Sequence, residues 1–250
     1  MSSALLLTEG VNKSFGAVTA ARDVSVAVPS GAVWSLIGSN GAGKTTFVNM
    51  VTGYIKPETG RIVFDGADIT GLSPRQITRL GIRRSFQIPQ LCAELSVLEN
   101  MLVSQSINRG QKPSLWRPGR AAEHVDEAMQ VLERFRIADN RNRLMSELSA
   151  GVRKLLDIAM AISGTPRVML LDEPTSGVAA EEKFPLMDLV MEALSASDVT
   201  VLFVEHDMDI VTRYSQRVLA FYDGEIIAND APEDVLSDEA VQRYVTGTAK

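Results

Sequence analysis

The octapeptide Gly38-Ser39-Asn40-Gly41-Ala42-Gly43-Lys44-Thr45 constrains this 250-residue chain more than any other segment. It stands between the apolar run 33–37 and the run Phe47-Val48-Asn49-Met50-Val51. A G-x-x-x-x-G-K-[ST] pattern in that setting requires a strand, a tight loop and a helix in succession, so an α/β core is implied. The glycines let the main chain wrap with its N–H groups pointing inward, a nest for anions. The following helix presents its positive N-terminal end to the same place. Lys44 supplies a point charge for the β- and γ-phosphates of a nucleotide, and Thr45 a hydroxyl for Mg²⁺. Average residue usage yields the bare pattern by accident in roughly 1% of chains this long, and the flanking strand and helix lower that further.

A nucleotide site also needs a carboxylate at the end of a buried strand. Val168-Met169-Leu170-Leu171-Asp172-Glu173 offers one. A continuous apolar run is the mark of a parallel strand covered on both faces, and ligands bind at the carboxyl ends of such strands. Asp172 would hold Mg²⁺ through water or directly, and Glu173 would orient or deprotonate an attacking water. Taken alone, the pair reads equally well as two solvated acids opening a turn before Pro174.

The first third reads as β-rich, with strands at 5–9, 25–28, 33–37 and 61–64. Ser73-Pro74 reads as an N-cap followed by Pro at the first helical position, and Ser96-Val97-Leu98-Glu99 as a capping box. Residues 108–119, rich in Gly, Pro and basic side chains, read as an exposed loop between helices. Residues 120–135 are helical, with Val125, Ala128, Met129, Leu132 and Phe135 on one face. A second amphipathic helix carries Val152, Leu155, Leu156, Ala159 and Ile162. The last third alternates: strand 168–171, helix 181–194, strand 200–204, helix 208–214, then a hairpin around Asp223-Gly224. Strands alternating with helices give βαβ units and a mostly parallel sheet.

Composition bounds the functions available. Lys and Arg total 25 against 31 Asp and Glu, a net charge of −6. That balance argues against a nucleic-acid surface, which draws its affinity from cations on phosphates. The one cysteine, Cys92, excludes an intramolecular disulfide and reads as a small buried or half-buried side chain. The longest unbroken apolar runs, 158–162 and 218–222, are far short of the roughly 20 residues that span a bilayer. A cytoplasmic location follows, with any membrane role exercised through a partner.

With these motifs in place, the chain resembles the ATP-binding cassette family, the nucleotide-binding subunits of transporters, from about residue 4 to 247. Phe15, in Lys13-Ser14-Phe15-Gly16, matches the aromatic that stacks on adenine. Gln87, in Arg84-Ser85-Phe86-Gln87, matches the glutamine that links metal and water to the helical subdomain. Leu148-Ser149-Ala150-Gly151-Val152 falls where the family signature lies. His206, in Val204-Glu205-His206-Asp207, matches the histidine at the γ-phosphate. Singly, Phe15 reads as a core aromatic, Gln87 as a surface residue and His206 as a strand-end histidine; their joint order carries the resemblance. Trp34 and Trp116 receive no role.

The resemblance implies a P-loop NTPase α/β core with a mostly parallel sheet, an N-terminal antiparallel β subdomain and an α-helical insertion subdomain. It implies one domain over 4–247: a core at about 4–88 and 165–230, a helical subdomain at about 89–164 and a helical tail at 231–247. It assigns ATP binding to Phe15 and to Gly38, Ser39, Asn40, Gly41, Ala42, Gly43, Lys44, Thr45 and Thr46. Catalysis falls to Glu173, His206, Lys44 and Gln87, and Mg²⁺ to Thr45, Gln87 and Asp172. Ser149, Ala150 and Gly151 would face the ATP of a second, head-to-tail ATPase subunit. Three positions depart from the pattern: Ala150 replaces a signature glycine, Val152 the following glutamine, and Ala179 an Asp or Asn that couples the two sites. Hydrolysis with weakened communication between subunits is the expectation.

Finer resemblance, in Gly81-Ile82-Arg83-Arg84-Ser85-Phe86-Gln87, Glu94-Leu95-Ser96-Val97-Leu98-Glu99-Asn100, the loop near 106–122, Glu205-His206-Asp207-Met208 and Val241-Gln242-Arg243-Tyr244-Val245, points to the branched-chain amino-acid uptake type. It implies two transmembrane permease subunits, a periplasmic solute-binding protein and a peripheral place on the cytoplasmic face of the inner membrane. Ile88, Pro89, Leu91 and Leu95 would lie at the permease contact. Urea or amide import and lipid or lipopolysaccharide export remain alternatives, as does a weakly hydrolysing partner in a heterodimer.

Overall fold

The computed structural model describes residues 4–87, 90–108, 122–196 and 198–248. Ile88, Pro89, Trp116 and most of the loop expected near 106–122 lie outside them. In chain order the elements are β1 (Ala4–Phe15), β2 (Val18–Pro29), β3 (Val33–Gly38), α1 (Lys44–Val51), β4 (Thr59–Phe64), β5 (Ala67–Asp68), α2 (Pro74–Leu80), β6 (Ile82–Ser85), α3 (Val97–Asn108), α4 (Ala122–Arg134), α5 (Ala150–Ile162), β7 (Val168–Asp172), α6 (Ala180–Ser195), β8 (Thr200–Val204), α7 (Met208–Tyr214), β9 (Arg217–Tyr222), β10 (Glu225–Asp230), α8 (Pro232–Ser237) and α9 (Glu239–Val241). They form two compact units, Met1–Ile82 with Asp198–Lys250, and Arg83–Ser197.

The first unit holds an antiparallel sheet in the order β2-β1-β4-β5 and a strand group in the order β10-β9-β3-β8. β1 runs well past the 5–9 expected from sequence. Gly10 sits at a register irregularity between Thr8 and Val11, and pairing resumes beyond it with Val11 fully buried. A bulge of this kind bends a strand without ending it. β3 pairs in parallel with β8 and with β9, Ser35 opposite Phe203 and Ile37 opposite Ala220. Every residue of β8, and every residue of β3 after Val33, is buried, which accounts for runs without polar alternation. Phe47 of α1 meets Phe221 of β9 with ring centroids 5.6 Å apart. Ser73 precedes Pro74 at the first position of α2, and its N–H donates to Gln76 Oε1 at 3.0 Å. At the C-terminal end, α9 passes into a π-turn, Gln242–Thr246, and Tyr244 stacks on Tyr222 at 4.6 Å.

The second unit packs α3, α4, α5 and α6 with the neighbouring strands β7 and β6. The expected capping box is present: Ser96 N–H donates to Glu99 Oε2 (3.0 Å) and Glu99 N–H to Ser96 Oγ (3.3 Å). Ala128, Leu132 and Phe135 are fully buried, as the 3.6-residue period of α4 requires. Cys92 is exposed, against the expectation of a buried or half-buried thiol. It lies in the turn before α3, where its main chain, not its side chain, is held: Asn100 accepts its N–H (2.9 Å) and donates to its carbonyl (3.2 Å).

α6 continues through Pro185, which removes one helical N–H. Burial of Leu186, Met187, Val190, Ala193 and Leu194 on its inner face outweighs that loss. Its N-cap, Ala179, has the extended backbone of a cap (φ −60°, ψ 146°) but no side-chain acceptor. Ala179→Asp is therefore expected to stabilise the chain by about 1 kcal/mol. Equilibrium urea unfolding measures this; an unchanged or lower midpoint contradicts it.

Candidate active site

In the first unit, the loop after β3 is shaped by two positions that admit no side chain. A Cβ on Gly38 would stand 2.5 Å from the Phe221 carbonyl oxygen, and one on Gly43, at φ +110°, would stand 2.5 Å from that of Ala20. Neither gap holds a carbon, so strands β9 and β2 press directly on the loop backbone. The Ala42 N–H donates to Ser39 O (3.1 Å), and the Gly224 N–H from the β9–β10 turn donates to Ala42 O (3.0 Å). The Lys44 ammonium, buried, donates to the carbonyls of Gly38 (2.6 Å) and Ser39 (3.0 Å). Ser39, Asn40, Gly41 and Thr45 are exposed, and Thr46 is half-buried. Main-chain amides and a lysine thus line an open loop at the start of α1, an arrangement that binds polyphosphate.

Phe15, at the end of β1, is 49% exposed, with the Lys13 ammonium 5.3 Å from its ring centre. An aromatic face left half open is suited to stacking on a planar base. His206, just beyond β8, is exposed, and its N–H donates to the carboxylate of buried Glu205 at 3.0 Å. The N–H of Glu205 in turn donates to Leu36 O (3.3 Å), which ties the His206 segment to β3.

In the second unit, all five residues of β7 are buried and the strand ends at Asp172. Arg84 of β6 lies with its guanidinium 2.5 Å from Asp172 Oδ2. Glu173 has φ +47°, uncommon for a residue with a side chain, and its Oε2 accepts from Gln87 Nε2 at 2.6 Å. Gln87 and Glu173 are thus brought together by this unit alone. Ser149 is the N-cap of α5, where its hydroxyl accepts the Val152 N–H at 3.4 Å, and Ala150 and Gly151 form the first turn. Among the described residues no group of three or more His, Cys, Asp or Glu could hold a metal by itself. Thr45 in the first unit offers a hydroxyl and Asp172 in the second a carboxylate, and each taken by itself is a hard oxygen donor of the kind Mg²⁺ takes.

Three side chains here carry charge that the sequence reading passed over: Arg84, Lys154 and Asp157. For two of them the signal lay in α5, where Lys154 and Asp157 stand at positions the helix buries. Burial pushes the Asp157 carboxyl up to about 6, against the opposing pull of the Gln90 N–H, the Lys154 charge and the Phe86 N–H. Because the folded value lies above the unfolded one, the folded chain retains the proton longer, and stability falls as pH rises through 6. Relative to Asp157→Asn, the wild-type chain is expected to lose about 1 kcal/mol between pH 5 and pH 7. Parallel denaturation curves at the two pH values measure it; a pH-independent difference contradicts it.

Comparison with known proteins places this geometry in context. The family described as ABC transporter matches residues 21–176. The chain is 37% identical, over 97% of its length and 97% of the relative's, to the probable branched-chain amino acid transport ATP-binding protein LivG of Methanocaldococcus jannaschii. It is 36% identical to LivG of Salmonella typhimurium, with both chains covered completely. Among solved structures it is similar to the ADP conformation of MJ1267, an ATP-binding cassette of an ABC transporter, with a TM-score of 0.87, 35% identity and coverage of 97% and 98%. The chain belongs to the ABC transporter family, as an ATP-binding cassette.

Proposed function

We propose that this chain is the ATP-hydrolysing subunit of a membrane importer for branched-chain amino acids or a related small polar solute. The observation that carries the reading is end-to-end similarity, at 36–37% identity, to proteins named for branched-chain amino-acid transport. Among the described residues no helix is long and apolar enough to cross a membrane. That agrees with a peripheral subunit seated on two permeases at the cytoplasmic face, the solute being delivered by a periplasmic binding protein.

The residues divide the work by their chemistry. The amides of residues 38–45 and the Lys44 ammonium neutralise the phosphates, Phe15 stacks on adenine, and His206 contacts the γ-phosphate. Glu173, steadied by Gln87, orients the attacking water and takes its proton. Thr45, Gln87 and Asp172 are the residues that would hold Mg²⁺, which would offset the negative charge of the phosphates. Ser149, Ala150 and Gly151 at the start of α5 cap the ATP of a second subunit, so that ATP joins two chains and hydrolysis releases them. Only the triphosphate state favours closure, which turns binding energy into motion.

A second reading, a weakly hydrolysing partner within a heterodimer, is favoured by Val152 and by the uncapped Ala179. Val152→Gln separates the two: a rise in turnover supports the weak partner, and no change rejects it. For the leading reading, Glu173→Gln is expected to lower ATP turnover by about 10² or more while the chain still binds ATP and accumulates as a dimer. Phosphate release together with light scattering measures both; undiminished turnover contradicts the role of Glu173. Lys44→Ala is expected to weaken ATP binding by at least about tenfold, read by equilibrium titration; unchanged affinity contradicts the role of Lys44.

A further inference from the structure

Two buried charges on α5 remain without a role in the account above. Lys154 is 2% exposed and Asp157 7%. Three residues apart, they lie on one face of the helix. The Lys154 ammonium donates to the carbonyls of Phe86 (2.8 Å), Gln87 (3.3 Å) and Asp172 (3.2 Å). The two oxygens of Asp157 accept the main-chain N–H groups of Phe86 (3.1 Å) and Gln90 (3.3 Å). Both polar groups of Phe86 are thus held from α5, and the segment carrying Gln87 is gripped on either side of that residue. The same ammonium holds the carbonyl of Asp172, which belongs to the peptide joined to Glu173 and therefore adjoins its unusual backbone (φ +47°).

Burying an ammonium and a carboxylate is costly, and apolar residues of similar volume often serve stability as well or better. What an apolar pair cannot do is fix five main-chain groups of two separate segments at once. Phe86, Gln87 and Gln90 lie outside the helices and strands, so their main-chain groups take bonds from side chains, and buried main-chain groups require such bonds.

We propose that Lys154 and Asp157 are positioning residues for hydrolysis: they clamp the segment around Gln87 and the end of β7 so that the Gln87 amide stays on the Glu173 carboxylate. The proposal rests on the ATPase reading for its catalytic consequence, but its structural half stands apart. α5 begins at Ser149 and Gly151, so the clamp also makes one rigid helix both the cap for a partner's ATP and the support of this chain's own Gln87–Glu173 pair. A shift at the N-terminus of α5 is thereby passed to Gln87 through main-chain bonds.

The test uses the full chain with Lys154→Met, Lys154→Arg and Asp157→Asn. Lys154→Met is expected to lower kcat for ATP by about 10- to 100-fold, with affinity for Mg-ATP held within about twofold, and Lys154→Arg to recover most of the loss. Amide hydrogen exchange gives a readout independent of ATP. The Phe86 and Gln90 amides are expected to exchange faster in Asp157→Asn, while the amides of β7 keep their protection. If Lys154→Met does not fold, Asp157→Asn carries the test alone, with lower kcat and local loss of protection. Unchanged exchange at both amides overturns the clamp, whatever the activity. Unchanged kcat in a folded variant with lost protection overturns its role in hydrolysis. A wild-type chain that neither binds nor hydrolyses ATP, yet shows the expected exchange, overturns the ATPase reading and leaves the clamp standing.

Discussion

The direction in which the main-chain amides point between Gly38 and Lys44 governs everything else in this protein. That direction is enforced from outside the loop. The carbonyls of Phe221 and Ala20 stand where Cβ atoms of Gly38 and Gly43 would be. The β9–β10 turn adds a hydrogen bond to Ala42. A side chain at Gly38 or Gly43 would force the loop off its neighbouring strands. The cost of holding it is met by the packing around it, Phe47 against Phe221 and β3 set between β8 and β9. Preorganised amides lose little on binding an anion, which is why a phosphate site is built from backbone and not from a cluster of flexible lysines.

The second unit treats charge differently. It buries Arg84 against Asp172, Lys154 against three carbonyls and Asp157 against two amides. These groups fix irregular backbone around Gln87 and Glu173 where secondary structure does not. The departures from the family pattern fall at helix starts within the same unit. Ser149 retains its capping hydroxyl on α5, so the loss of glutamine at Val152 leaves that turn intact. Ala179 gives α6 no side-chain cap, so a local bond that an Asp or Asn could make there is missing.

Much of this was legible in the residue order. The strand–loop–helix around Lys44, the buried strand ending at Asp172 and the caps at Ser73 and Ser96 each rest on interactions within a few residues, which sequence spacing encodes. Capping geometry and turn chemistry need no distant partner. Other features do. The length of β1 depends on a bulge at Gly10 that only pairing across the sheet reveals. The exposure of Cys92 depends on a loop whose backbone is held by Asn100, a contact that spacing did not announce. The roles of Lys154 and Asp157 were not legible, because their partners at Phe86, Gln87 and Gln90 lie more than 65 residues earlier in the chain and Asp172 lies 18 later. The Gln87–Glu173 bond joins residues 86 apart, and the order of motifs alone pointed to it.

Titration calorimetry of the purified chain with ATP and magnesium tests the central claim most directly. A saturable site, one per chain, that discriminates ATP from adenosine is the predicted result, because the loop after β3 holds the phosphates. Heat no greater than dilution for ATP, or equal affinity for adenosine, would contradict the account.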